Sequence, residues 1–152
     1  MANLRAGLRP LAAAALAILL AATPPMPGEA TAQHVIEADQ IAIQTVIRDQ
    51  IEAFRAGDHE RAYSHAAPTI KGIFPTVERF IEMVQRGYMP LYRPAEYHFG
   101  RSLEADGEIH QEVIVTDESG KLWQAVYTLR RQDDGSWKVT GVKLNPHKGA
   151  SA

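Results

Sequence analysis

"VERFIEMVQRGYMPLYRPAEYHFG", residues 77–100, changes its period halfway along, and that change decides the fold. In the first half, Val77, Phe80, Ile81 and Val84 recur at i, i+3, i+4 and i+7, the stripe of an amphipathic helix. A helix is expected from about Thr76 to Arg86, stopped by Gly87. Glu82 and Arg86 sit four apart in the favourable order, worth about 0.3 kcal/mol. In the second half, Ala95, Tyr97 and Phe99 alternate with Glu96 and His98, the period of a strand with one buried face.

Upstream of that point the chain reads as helix, and downstream as strand. Ile43, Val46, Ile47, Ile51 and Phe54 form one stripe of a long helix over Ala38 to Ala56. Gly57 suits a left-handed cap and Asp58 an N-cap. A short helix from His59 to about Ala66 should follow, which Pro68 prevents from continuing. Ile70 to Pro75 reads as a connector. Downstream, Ile109 to Thr116 is β-branched, Trp123, Ala125, Tyr127 and Leu129 alternate cleanly, and Trp137 to Leu144 forms a last strand. The apolar parity of that last strand switches near Gly141, which predicts a bulge. Asp106-Gly107, Ser119-Gly120 and Asp134-Gly135 punctuate the runs as turns. Helices first and strands after predict an α+β domain, three helices on one face of a curved four-stranded antiparallel sheet.

The N-terminus reads as an address. Arg5 and Arg9 precede an unbroken Leu/Ala/Ile run, Leu11 to Ala22, and Ala30-Thr31-Ala32 has small residues at the spacing of a cleavage site. As a helix, that run would span roughly 18 Å against a hydrocarbon core of about 30 Å, too short for an anchor. A signal peptide over residues 1–32 is therefore expected, followed by a single domain over 33–148 and a frayed tail over 149–152. The mature protein would be periplasmic or secreted. It has no cysteine, so the oxidising compartment is not used for disulfides.

Of 16 basic and 18 acidic residues, the leader carries Arg5, Arg9 and Glu29, which leaves 14 and 17 and a formal charge of −3. That balance argues against nucleic acid, and against a membrane surface once the leader is gone.

Four stretches carry a family resemblance: "QIEAFRAGD" (50–58), "AYSHAAPTIKGIF" (62–74), "RFIEMVQRGYMPLYRP" (79–94) and "DGSWKV" (134–139). In order and composition the chain resembles the cone-shaped nuclear transport factor 2-like, or cystatin-like, fold shared with ketosteroid isomerase. More closely, it is similar to an uncharacterised bacterial family, domain of unknown function 4864. The resemblance implies the cone fold and an exported setting, and no particular activity. It also implies a pocket between the helices and the concave sheet face.

Residues suited to that pocket are Tyr63, Phe74, Tyr88, Tyr92, Arg93, Tyr97 and Tyr127. The predicted inner face offers tyrosine hydroxyls and no acid. That favours binding a small apolar or amphipathic molecule, or a partner protein, over catalysis, and no catalytic residue or cofactor is assigned. The alternatives are an isomerase- or dehydratase-like enzyme using Tyr and His, and an interaction protein that forms a homodimer through its sheet. Arg93 beside Tyr88 and Tyr92 could hold a carboxylate at the pocket mouth. His59 and His65 project apart on a helix and read as capping or solvated residues. His98 and His110, in phase with Glu96 and Glu112, would form a weak metal site if their hairpin closed around Leu103 to Asp106.

Overall fold

Helix α1 runs from Pro27 to Ala56, and Ile43, Ile47 and Ile51 on its apolar stripe are completely buried. The computed structural model describes residues 27–148, with side chains from residue 37 onward. The leader expected over residues 1–32 lies mostly outside them. Truncating Ile47 to alanine would cost roughly 2–5 kcal/mol at a site so fully enclosed.

The end of α1 is a Schellman motif. Gly57, at φ 68°, donates its N–H to the Phe54 carbonyl, and the Asp58 N–H reaches the Ala53 carbonyl. Asp58 then caps α2, His59–Ser64, its carboxylate accepting from the Arg61 N–H at 3.2 Å.

The described residues hold five helical segments, two more than expected: α3, Pro68–Ile73, and α5, Met89–Tyr92. Both carry proline in their first turn. A proline that cannot continue a helix is well suited to open one, because its missing N–H would be unpaired there anyway. Between them lies α4, Val77–Gly87, N-capped by Thr76, with Phe80, Ile81 and Val84 buried as the period requires.

Four strands follow: β1 Pro94–Ala105, β2 Glu108–Asp117, β3 Leu122–Arg131 and β4 Trp137–Pro146. They form one antiparallel sheet in the order β1-β2-β3-β4. Asp106 and Gly107 both have positive φ, 53° and 74°, the signature of a two-residue type I′ hairpin turn. The expected bulge in β4 falls at Thr140, where the register steps from Thr128↔Gly141 to Leu129↔Val139. A second bulge, in β1 between Phe99 and Ser102, has no sequence forecast.

The inner sheet face meets α1. Val113, Val115, Ala125, Tyr127 and Leu129 join Ile43, Ile47, Ile51 and Leu91 in one buried cluster. A second cluster, built on Phe54, Ala62, Phe80, Ile81 and Tyr92, packs the helices on one another. The α2–α3 corner is stitched to β4: the Ala67 N–H bonds the Val139 carbonyl, and the Val139 N–H bonds the His65 carbonyl, each at 2.8 Å.

The two histidines of α2 and its cap are paired rather than solvated. His59 Nε2 and the Tyr92 hydroxyl share a hydrogen bond of 3.0 Å. His65 Nε2 meets Asp49 Oδ2 at 2.5 Å, and Arg61 forks onto the same carboxylate.

Candidate functional site

Where the two clusters meet they leave a gap. A cavity of about 310 Å³ lies between α1, α3 and α4 and the β3–β4 half of the sheet. Its floor is closed by buried residues from α1, α4 and the sheet: Gln50 and Phe54 of α1, Phe80 and Val84 of α4, Tyr127 of β3 and Val139 of β4. Its mouth is ringed by half-exposed Ile70, Phe74, Met83, Tyr88 and Val142.

Hydrogen bonds fix the walls relative to one another. The Tyr88 hydroxyl donates to the Val142 carbonyl at 3.1 Å, pinning the end of α4 to β4. The Tyr63 hydroxyl donates to the Phe74 carbonyl at 2.7 Å and fixes the end of α3, while its ring lies tilted against Phe80 with centroids 5.3 Å apart. Gln50 Nε2 donates to the Ala62 carbonyl at 3.1 Å, tying α1 to α2.

The sequence-derived residues divide. Phe74, Tyr88 and Tyr127 border the cavity, and Tyr63 stands one layer behind its wall. Tyr92 turns into the helix cluster and bonds His59. Arg93 is exposed and outside the cavity, because the single turn of α5 sends Tyr88 and Leu91 inward and Arg93 out. Tyr97 lies at the far edge of the sheet, its ring 6.1 Å from Phe99 and beneath the Arg55 guanidinium.

His98 and His110 are not brought together. The hairpin closes at Asp106-Gly107 and the β1 bulge shifts the register, so His98 pairs with Ile114 and His110 with Leu103. His110 Nδ1 instead meets the Thr128 hydroxyl at 3.1 Å. Among the described residues no three His, Cys, Asp or Glu side chains converge on one point.

Gln50 and Met83 also line the cavity and were not singled out from sequence, and Gly141, expected only as the bulge of β4, borders it too. For Gln50 a signal existed: it falls between Ile47 and Phe54 on the buried stripe of α1, where an amide is out of place.

Chemically, the lining is apolar with two polar groups at its floor, the Gln50 amide and the Tyr127 hydroxyl. Burial pushes the Tyr127 pKa upward, so the hydroxyl keeps its proton at neutral pH and acts as a hydrogen-bond donor. No Asp, Glu or His borders the cavity to serve as a base.

No curated protein matches the chain. The model of a family described as a domain of unknown function (DUF4864) matches residues 36–152. That span takes in every element from the body of α1 to β4, cavity walls included, and the chain belongs to the DUF4864 family.

Proposed function

We propose that this chain is an exported, non-catalytic binding module that holds a small apolar or amphipathic molecule in the cavity between its helices and sheet. The observation that carries this is the cavity itself. Its volume of about 310 Å³ is at the lower end of the range of about 300–1,000 Å³ typical of ligand sites. It is roughly twice the about 150 Å³ that accommodates benzene in an engineered apolar cavity. Its rim is apolar and half-exposed, so a ligand has a route in.

Two further observations support the setting. The order of helices before a four-stranded meander, with a hollow between them, fits the nuclear transport factor 2-like cone. The family match starts at residue 36, just past the segment read as a cleaved leader, which accords with export.

Native mass spectrometry of protein recovered from the periplasm or medium tests both parts at once. The expected result is a chain beginning at Gln33 that carries a noncovalent mass, lost on mild activation. A chain retaining residues 1–32 would end the export reading. A bare mass, together with no thermal shift from any apolar compound, would end the binding reading.

A further inference from the structure

Most polar atoms around the cavity are already spoken for. Tyr88 bonds Val142, and Gln50 Nε2 bonds Ala62. Two atoms are not. The Tyr127 hydroxyl and Gln50 Oε1 have no hydrogen-bond partner among the described residues, although these residues are only 1 % and 3 % exposed. The one fully enclosed side-chain polar atom without a partner among those residues is Trp137 Nε1. The Tyr127 hydroxyl and Gln50 Oε1 therefore keep some accessible surface, and the cavity that both residues border provides it.

A buried donor and acceptor without partners cost about 1–3 kcal/mol each unless something satisfies them. The same floor holds no Lys, Arg or His. A carboxylate or phosphate carried into it would lose its hydration and meet no countercharge. A cation would meet no carboxylate. Besides Tyr127, four aromatic side chains, Phe54, Phe74, Phe80 and Tyr88, line the cavity and offer ring faces and edges.

We infer that the cavity selects uncharged, ring-sized apolar molecules bearing one hydroxyl or carbonyl group, which takes the Tyr127 O–H as donor and, when itself a hydroxyl, gives its proton to Gln50 Oε1. This rests on the binding reading above and goes further by naming the ligand class. The preference for a hydroxyl over a bare hydrocarbon is roughly two- to tenfold, the scale of one net hydrogen bond. The discrimination against an anion of the same shape is far larger, because desolvating a charge without a partner has no offset.

Three probes of one shape separate the possibilities: naphthalene, 2-naphthol and 2-naphthoate, titrated at neutral pH against isotopically labelled protein while the Gly141 and Val142 amides are followed. The expected order is 2-naphthol tighter than naphthalene, with no saturable shift from 2-naphthoate. Tyr127→Phe should retain naphthalene and lose the hydroxyl preference. If 2-naphthoate binds as well as 2-naphthol, the ligand class is wrong while the binding reading stands. If naphthalene matches 2-naphthol in the wild type, the polar floor plays no part and the inference falls. If none of the three shifts those amides, the binding reading falls with it. The wild-type comparison stands even if Tyr127→Phe does not fold.

Discussion

Two glycines show how much can rest on a missing methyl group, for opposite reasons. At Gly57 nothing lies within 4 Å of where a Cβ would stand, so space is free. Only its φ of 68° resists a side chain. Gly57→Ala should therefore destabilise by about 1–2 kcal/mol in urea titrations and leave ligand affinity unchanged. At Gly100 the backbone is permissive and the space is taken. A Cβ there would stand 2.3 Å from Glu112 Oε2. That carboxylate accepts from the Arg101 N–H at 3.1 Å and from Gln124, bonds that hold its pKa below the usual range, Gln124 contributing most. Gly100→Ala must displace it and should cost about 1–2 kcal/mol. The cost should vanish in a Glu112→Ala background; additive losses in a double-mutant cycle would refute the link. Gly57 was legible from its place after an apolar stripe. Gly100 was not, because its constraint comes from a side chain on the neighbouring strand.

Between elements, the main joint is Asp49 on α1. Arg61 first, and then His65, draw its carboxyl down to about 2 from the ordinary 3.8. A carboxylate lowered in the fold contributes stability that is fully present above about pH 4 and is lost as the pH falls toward 2. Asp49→Asn should flatten that part of the acid limb while leaving the curve above pH 5 parallel to wild type. Denaturant midpoints measured from pH 2 to 7 decide it. Elements were legible in the sequence wherever a period ran for more than two turns, as in α1, α4 and the strands. α3 and α5 were not, since neither completes two turns and each carries in its first turn a proline that reads as a break. The β1 bulge was also hidden. Two consecutive residues of β2 brace it from opposite faces: Gln111 donates to the Gly100 carbonyl at 3.1 Å, and Glu112 takes the Arg101 N–H. No pattern within β1 announces that.

For the molecule as a whole, the cavity was legible as a region and not as a lining. The family resemblance implied a hollow between the helices and the sheet; Tyr127 could be placed beside it from strand parity, and Tyr88 from its place in the segment that joins α4 to β1. Arg93 could not be excluded from it without knowing how α5 turns, whereas Gln50 was open to inclusion from its place on the buried stripe of α1. A substitution that narrows the mouth without touching the floor should separate shape from chemistry. Met83→Trp, at a half-exposed rim position, should weaken 2-naphthol at least tenfold with a melting temperature near that of wild type. Unchanged affinity would place the route elsewhere.

The stitch between Ala66 and Val139 sets an order in time as well as in space. Each hairpin of the sheet closes over a few residues, but this bridge joins positions seventy-three apart. Contacts so remote in sequence form after local ones, because the loop between them must be closed first. During synthesis the α2–α3 corner waits for β4, the last strand made, before the cavity has its outer wall. In the finished protein the same seam lacks the support that neighbouring strands give each other, so it is the place to open first. The Ala67 and Val139 amides should then exchange with solvent together, faster than those of Val113 or Ala125, and a bound ligand should slow that pair alone. Exchange at the seam would serve as a clock for how often the cavity opens.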